Sequence, residues 1–122
     1  MVTTALSFKG RAEEALNFYA EVFGYEIKPA EDVWKWENGS IAHAELTIYG
    51  NRLMLADDEK CDGRFAGFSL SINLKDEVEL RSVHAKLSDG AIEMMPLSKV
   101  EWSECYGLLR DKFGVLWQFN LD

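Results

Sequence analysis

Residues 43–57, HAELTIYGNRLMLAD, contain the pattern that decides the fold. Apolar and polar side chains alternate from residue 41 to residue 49, which is the period of a strand with one buried face. Gly50 and Asn51 interrupt the alternation, and residues 52–56 return as another strand. The stretch therefore predicts an antiparallel hairpin. Its buried face is expected to carry Ala42, Ala44, Leu46 and Ile48.

Signals on the N-terminal side extend this hairpin into a unit with one helix. Residues 3–8, TTALSF, are typical of a short first strand. Residues 11–23 repeat apolar side chains at helical spacing, and Gly24 is the expected stop. Residues 25–36 predict a second strand broken near Pro29, and the turn ENGS follows it. The first half therefore has the order β-α-β-β-β.

The same order recurs in the second half of the chain. The predicted elements are a strand at 68–74, a helix from its cap Asp76 to residue 88, and strands at 91–97, 106–111 and 115–121. Sliding the chain against itself by 64 residues aligns similar side chains in the first strand, the helix and the last hairpin. The alternative is chance similarity between two ordinary helix-and-hairpin stretches.

These features predict one α+β domain over residues 1–122, made of two tandem βαβββ modules. Module one covers residues 1–58, a polar linker covers 57–64, and module two covers 65–122. Each helix is expected to cover one face of a curled mixed sheet, and the other face needs a partner or a ligand. Two such halves would form an open trough with the helices outside, either within one chain or across a dimer.

Charge and composition exclude several classes of partner. The formal net charge of −8 leaves too few Lys and Arg side chains for a broad nucleic-acid surface, and it disfavours anionic membranes. No apolar stretch approaches the roughly 20 residues of a membrane helix. Cys61 and Cys105 are the only cysteines, and no secretory leader is visible. We therefore expect free thiols and a cytoplasmic location.

Three segments together resemble a known superfamily. They are residues 15–25 (ALNFYAEVFGY), residues 43–57, and residues 102–117 (WSECYGLLRDKFGVLW). In order and spacing they resemble the vicinal-oxygen-chelate superfamily, which has the glyoxalase/bleomycin-resistance/dioxygenase fold, and within it the PhnB-like group. The resemblance covers nearly the whole chain. It implies the tandem βαβββ fold and a site in the trough.

The resemblance implies an activity only loosely. The superfamily includes isomerases, dioxygenases, thiol transferases and drug-sequestering proteins. Some PhnB-like proteins carry a demethylubiquinone methyltransferase label. This sequence has no glycine-rich strand-to-helix turn to cradle a nucleoside cofactor and is too short for a doubly wound sheet, so we do not expect a SAM methyltransferase.

The resemblance also implies where a metal would be held. Metal-dependent members of the superfamily take one ligand from the first and fourth strands of each half. These places correspond to Thr3 or Thr4, Met54, Gly67 or Phe68, and Gln118. Of these, only Gln118 offers a credible donor for a hard divalent cation. We therefore expect no metal and no cofactor, although a metal site with unconventional ligands remains an alternative.

The polar face of the strand at 41–49 carries the candidate catalytic residues. His43, Glu45, Thr47 and Tyr49 alternate onto it, and neighbours on one face lie about 7 Å apart. His43 beside Glu45 is a possible general acid/base pair, coupled through a bound molecule or water. The alternative is a hydrogen-bonded or solvated polar layer.

Aromatic side chains and the flexible thioether of Met54 complete the expected pocket. Indoles stack on flat or cationic molecules, although core or dimer-interface packing is the alternative for them. Trp117 and Phe119 are expected to face the second helix instead, and Cys105 is expected to be inert. The candidate ligand-binding residues are Thr47, Met54, Trp34, Trp36, Trp102, Tyr106 and Gln118.

Three functions follow, in descending order of preference. The first is a metal-free protein that binds a small organic molecule in the trough. The second is a metal-independent enzyme that uses His43 and Glu45, and the third is a metal enzyme. Because an open trough leaves strand edges and aromatic surface uncovered, we also expect a homodimer.

Overall fold

Two units of the same topology make up residues 1–122, all of which the computed structural model describes. The first unit is Met1–Gly63 and the second is Arg64–Asp122. The first unit contains β1 (Thr4–Phe8), α1 (Ala12–Phe23), α2 (Pro29–Asp32), β2 (Val33–Lys35), β3 (Ile41–Ile48) and β4 (Asn51–Asp57). The second contains β5 (Leu70–Leu74), α3 (Glu77–Leu87), β6 (Ile92–Val100), β7 (Ser103–Arg110) and β8 (Leu116–Leu121).

Each unit has one four-stranded mixed sheet. The strand order is β1-β4-β3-β2 in the first sheet and β5-β8-β7-β6 in the second. The first strand of each unit runs parallel to the last, and the remaining neighbours are antiparallel. The predicted α+β fold with two repeated mixed sheets is confirmed. None of the three helices has the length and apolar character needed to cross a membrane.

Helix α1 covers one face of the first sheet. Its apolar stripe, which includes Ala12, Leu16 and Tyr19, is buried, as the helical period predicts. Gly24 ends the helix in the left-handed region, at φ 68°, and its N–H donates to Ala20 O. On the sheet side, the buried partners are Leu6, Phe8, Ala44, Leu46, Leu53 and Leu55.

Helix α3 covers the second sheet in the same way. The Asp76 carboxylate accepts from the backbone N–H groups of Val78 and Glu79, which confirms the predicted cap. Leu80, Val83 and Leu87 form the buried stripe. Trp117 and Phe119 are buried on the helix side of the sheet, as predicted.

Residues 25–36 do not form the predicted strand. Residues 29–32 make a single helical turn, and only Val33–Lys35 pairs with β3. Pro29 favours this turn because its fixed φ suits the first helical position. The buried Asp32 holds the turn closed by accepting from the Lys28 N–H and the Tyr25 hydroxyl, each at 2.8 Å. The bond to Asp32 also raises the pKa of Tyr25 above its ordinary 10.0.

A bulge in β3 changes which side chain enters the core. Trp34 pairs with His43 but Lys35 pairs with Ile41, so Ala42 is the extra residue. Ile41 is therefore buried, with 1% exposure, and Ala42 leaves the core face on which it was predicted. Tyr49 also departs from the alternation. It lies in the turn at φ 48°, and its ring packs edge-on against Phe23 of α1.

The expected linker begins one residue later than predicted, because Asp57 belongs to β4. Asp57 Oδ1 accepts a hydrogen bond from the Ala12 N–H, and Asp57 Oδ2 accepts one from the Ile41 N–H, both at 3.0 Å. The N-cap residue of α1, Arg11, supplies no side-chain cap of its own. Asp57 therefore ties the start of the helix to the start of β3.

The remaining boundaries differ from the predicted ones by a few residues. β5 begins at Leu70 rather than residue 68, β6 continues to Val100 rather than residue 97, and β7 begins at Ser103 rather than residue 106. β6 is an irregular edge strand whose register with β7 shifts three times.

Candidate functional site

The face of the first sheet that turns away from α1 brings His43 and Glu45 together. Alternation along β3 places both side chains on this face, which is called the open face below. His43 Nε2 lies 3.0 Å from Glu45 Oε2, so the pair bonds directly rather than through water or a bound molecule. His43 Nδ1 has no hydrogen-bond partner within the chain, and the side chain is 39% exposed.

Trp34 reaches the same cluster from the edge strand. It lies opposite His43 in the β2–β3 register, and the two ring centroids are 5.4 Å apart at 53°. Thr47 is exposed on the open face, two positions beyond Glu45. Met54 lies directly opposite Glu45 on β4. The structure thus groups five candidate residues on the open face: Trp34, His43, Glu45, Thr47 and Met54. It places Trp36 in the turn beyond β2.

Arg52 joins the cluster, although the sequence analysis did not single it out. Its Nη1 lies 3.8 Å from Glu45 Oε2, the oxygen that also meets His43. The hairpin register was the available signal. A two-residue turn at Tyr49 and Gly50 places Thr47 opposite Arg52, on the face that carries Glu45.

The open face of the second sheet carries an uncharged polar chain. Tyr106 hydroxyl donates to Gln118 Oε1 at 3.1 Å, and Gln118 Nε2 donates to Ser69 Oγ at 3.2 Å. The Trp102 ring packs edge-on against Tyr106, with centroids 5.1 Å apart. Three candidate residues, Trp102, Tyr106 and Gln118, therefore meet here. Ser69 joins them, although it was not predicted from the sequence.

Strand registers relate the two clusters and show that the repeat has no single offset. Met54 pairs with Ala5 and Glu45, whereas Gln118 pairs with Ser71 and Leu108. The offset between equivalent residues is thus 64 for β4 and β8, 66 for β1 and β5, and 63 for β3 and β7. By these offsets Tyr106 occupies the place of His43, and Ser69 occupies the place of Thr3. Neither Gly67 nor Phe68, the expected places, is equivalent to Thr3.

A groove of about 870 Å³ opens at the far end of the first sheet's open face. It begins where β1 and β4 end, and it reaches the turn between β2 and β3. Trp36, with 62% exposure, lies along one side. Ala56 belongs to the groove and lies opposite His43, because Leu55 pairs with Ala44 one residue further on.

The two cysteines and His84 belong to neither of the two polar clusters. Both cysteines are free thiols; Cys105 is buried and Cys61 is partly exposed. His84 lies on α3, edge-on to the Phe119 ring at 5.0 Å. Its buried Nε2 has no hydrogen-bond partner, and burial lowers the pKa of His84 below its ordinary 6.5.

Comparison with known proteins identifies the family. The family model described as 3-demethylubiquinone-9 3-methyltransferase matches residues 1–120. The chain belongs to this family. It is the PhnB-like group of the vicinal-oxygen-chelate superfamily, as the sequence resemblance implied.

The PhnB protein of Bacillus cereus is similar to this chain over almost its entire length. The two are 33% identical, with 99% of this chain and 98% of that one covered and a TM-score of 0.87. Protein YjdN of Escherichia coli K12 is 27% identical, with 95% and 91% covered. A glyoxalase-related enzyme from Fulvimarina pelagi is 17% identical, with 100% and 88% covered and a TM-score of 0.68, and it shares the fold.

The four places at which the family resemblance implies metal ligands do not carry side chains that fit a divalent ion. By the observed registers, the places where the resemblance implies metal ligands are Thr3 and Ser69, which immediately precede β1 and β5, and Met54 and Gln118 on β4 and β8. They supply two hydroxyls, a thioether and an amide, none of which is anionic or imidazole. In addition, no group of three His, Cys, Asp or Glu side chains is suitably placed for a metal.

Proposed function

We propose that this PhnB-like protein binds a small organic molecule against the open face of its first sheet, without a metal ion. The observation that carries the proposal is the cluster of Trp34, His43, Glu45 and Arg52 on a face that no helix covers. An exposed ring beside a few convergent polar groups is typical of small-molecule sites. Met54 adds an adaptable apolar surface next to the carboxylate.

The geometry of the cluster suits recognition of a molecule that offers a hydrogen-bond donor to His43 Nδ1 and an acceptor to the Arg52 guanidinium. Glu45 Oε2 holds the imidazole from one side and draws the Arg52 guanidinium towards the same point. A carboxylate that orients a histidine in this way reduces the conformational entropy lost when a ligand binds. The ligand would therefore meet a ring and a cation already in position.

The second sheet offers a complementary set of neutral groups. Ser69, Gln118 and Tyr106 form a hydrogen-bonded chain whose members each keep further donor or acceptor capacity. Trp102 beside Tyr106 supplies an exposed ring, as Trp34 does beside His43. We propose Trp102, Tyr106 and Gln118 as ligand-binding residues of the second unit.

Methyl transfer, which the family description names, is not the activity we propose. Two four-stranded mixed sheets offer no doubly wound parallel sheet with a crevice for a nucleoside cofactor. The turn between β1 and α1 has a single glycine, Gly10, instead of a glycine-rich phosphate loop. The proposed ligand therefore binds as such and is not methylated through S-adenosylmethionine.

One observation favours a second candidate function, a metal-independent acid–base enzyme. Because Glu45 bonds to His43 Nε2, the other ring nitrogen is left without a partner on the exposed side of the cluster. A carboxylate-oriented imidazole can take a proton from a bound molecule at Nδ1 and return it. In this reading Arg52 would stabilise the negative charge that proton removal creates.

Protein purified from cells tests both functions. Native mass spectrometry should show an organic molecule that dissociates on denaturation, and elemental analysis should show no stoichiometric Ni, Zn, Fe or Mn after dialysis. His43→Ala should reduce retention of the molecule if His43 binds it. If retention persists and turnover of the identified molecule is lost, the enzyme is the correct function. A stoichiometric metal that survives dialysis would overturn the proposal.

We also propose a cytoplasmic homodimer that does not bind nucleic acid or membranes. The net charge of −8 and the two free thiols support the location and the choice of partners. Large exposed apolar side chains support self-association. Phe68, Ile92, Met94 and Met95 are such side chains, and they lie outside the residues proposed to bind the ligand.

A further inference from the structure

The groove at the end of the first sheet combines small side chains with an exposed indole. Three small side chains, Ser7, Ala42 and Ala56, line it on the open face. Because these side chains are short, they leave depth between the sheet surface and the neighbouring Trp36 indole. The groove volume of about 870 Å³ lies within the range of roughly 300–1,000 Å³ for small-molecule sites.

Trp36 is exposed in a turn whose backbone is well defined. Trp36 N–H donates to Ser40 O, and Gly39 N–H donates to Trp36 O, both at 2.9 Å. The turn therefore fixes the backbone that carries the indole, although its side chain is 62% exposed. An indole has only two side-chain torsions to fix when a planar ring stacks on it, so stacking costs less conformational entropy than ordering a long flexible side chain would.

In the groove, the lysine ammonium groups have no ion pairs, whereas most of the carboxylates already accept hydrogen bonds. Lys9 and Lys60 line the groove, and neither ammonium group has an ion-pair partner within the chain. Asp57 has both oxygens occupied by backbone N–H groups, and Asp58 Oδ1 accepts from the Lys60 N–H. Glu59 is the one groove carboxylate without a hydrogen bond in the chain. The two ammonium groups therefore remain available, whereas two of the three carboxylates hold the backbone.

The aliphatic part of Lys9 is placed by its surroundings. Its Cδ and Cγ lie 3.7 and 3.9 Å from the point where a Cβ of Gly63 would be. Gly63 has φ 72°, a conformation that favours glycine, so the bare backbone there gives the lysine stem room to pass. The residues after β4 thus help to hold this side chain beside the groove.

We infer that the groove binds a planar aromatic ring that carries an anionic substituent such as a carboxylate. The ring stacks on Trp36 above Ser7, Ala42 and Ala56, and the anionic group is held by Lys9 and Lys60. Ala56 lies opposite His43, so the ring's other end points to the His43–Glu45 pair. The inference rests on the proposed function, because it names the ligand class for the same open face.

Three probes of one shape and different charge test the ligand class. They are 2-naphthoate, neutral 2-naphthamide and cationic 2-naphthylmethylammonium, titrated by calorimetry into the full chain. We expect the anion to bind about fivefold more tightly than the amide, because two exposed charge pairs each contribute modestly to affinity in water. The preference should disappear in the Lys9→Gln/Lys60→Gln variant. Lys28→Gln is the matched control, since Lys28 also has no ion pair and lies outside the groove.

Trp36→Ala tests the stacking contact. The substitution should weaken the binding of all three probes by about tenfold, because it removes the aromatic surface on which each probe stacks. Trp36→Phe, which keeps a flat aromatic ring at the same position, is the matched control and should retain most of the affinity. Tighter binding of the cation, or an unchanged affinity in Trp36→Ala, would overturn the inference.

Nuclear magnetic resonance separates failure of this inference from failure of the proposed function. The four indole N–H signals can be assigned with single Trp→Phe variants. Probe-induced shifts at Trp36 would support the groove. Shifts at Trp34 and His43 without Trp36 would overturn the groove and leave the proposed function standing. Shifts at none of these residues would overturn the inference, and native mass spectrometry of protein purified from cells would then decide the proposed function separately.

Discussion

His43 and Glu45, two residues apart on β3, are joined by a 3.0 Å hydrogen bond between Nε2 and Oε2 on the open face of the first sheet. The same carboxylate oxygen lies 3.8 Å from Arg52 Nη1. One carboxylate therefore orients a titratable ring and a permanent cation. This relationship is the centre of the proposed site.

Glu45→Ala should abolish retention of the natural ligand and leave the fold intact. The pair with His43 is partly exposed, so its loss should change the free energy of unfolding by less than about 1 kcal/mol. Glu13→Ala is the matched control, because it breaks an exposed ion pair with Lys35 at 3.1 Å on the other side of the unit. Native mass spectrometry and urea unfolding provide the two readouts. Equal ligand retention in both variants would contradict the role of Glu45.

Asp57→Ala should destabilise the first unit. The carboxylate accepts from two backbone N–H groups, those of Ala12 and Ile41, and removing it leaves both donors without their partner. We expect the free energy of unfolding in urea to fall by about 2 kcal/mol. Asp57→Asn, which keeps one acceptor oxygen, should lose less. Glu59→Ala is the control, and an equal effect of both alanine variants would refute the capping role.

Asp111→Ala should destabilise the second unit to a greater extent. The buried carboxylate accepts from the Phe113 and Val115 N–H groups at 2.9 and 3.0 Å and from Trp117 Nε1 at 2.9 Å. Loss of these bonds in the interior should cost about 3 kcal/mol of unfolding free energy. Asp89→Ala, at an exposed carboxylate near Lys112, is the control.

A double-mutant cycle can isolate the bond between Asp111 and the indole. Asp111→Asn keeps an acceptor for the backbone but cannot accept from Trp117 Nε1, and Trp117→Phe removes the donor. The two changes should couple by about 1 kcal/mol or more. Strict additivity would show that the carboxylate acts through the backbone alone.

Stability should fall as the pH drops below about 6.5, because of His84. Burial lowers the pKa of this imidazole, so the unfolded chain binds the proton at a higher pH than the folded chain. The effect of His84 on the free energy of unfolding is absent at neutral pH. It destabilises the folded chain increasingly as the pH falls below 6.5. Of the neighbouring charges, Glu93 opposes the shift and Arg81 supports it.

Urea unfolding between about pH 7 and pH 5 should therefore show a shallower loss of stability in His84→Gln than in the wild type. A nuclear magnetic resonance titration of the His84 ring gives the direct check. A midpoint above 6.5 would contradict the role of burial at this position.

Light scattering at micromolar concentration should give about twice the chain mass of 13.9 kDa. Because β6 has a run of exposed apolar side chains, Met94→Glu combined with Met95→Glu should shift the protein towards monomer. Val78→Glu is the control, since Val78 is an exposed apolar residue on α3. A mass of 13.9 kDa for the wild type would refute the dimer.

Features governed by local periodicity were predictable from the sequence. The helical stripe that includes Ala12, Leu16 and Tyr19, the cap at Asp76 and the stop at Gly24 are encoded within a few residues. Residues 25–36 were not predictable in the same way. Their apolar content suggested a strand, but Asp32 can hold the turn only because the chain folds back onto Tyr25 and the backbone of Lys28.

The alignment between the two halves of the repeat was also only partly predictable from the sequence. A single offset of 64 aligned the last strands, but the first strands differ by 66 and the third strands by 63. Short insertions between strands change the offset without disturbing the buried faces, so apolar similarity alone did not reveal them. The position equivalent to Thr3 consequently falls on Ser69, where it was expected at Gly67 or Phe68.

By itself the sequence determined that His43 and Glu45 share a face, since residues two apart on any strand do so. It also determined the two buried stripes and the order of elements, because hydrophobic period depends on neighbours along the chain. Only the tertiary structure decided that Trp34 and Arg52 join the pair and that Asp57 caps a helix 45 residues earlier. Those contacts depend on strand register and on a bulge at Ala42, which arise when distant segments pack.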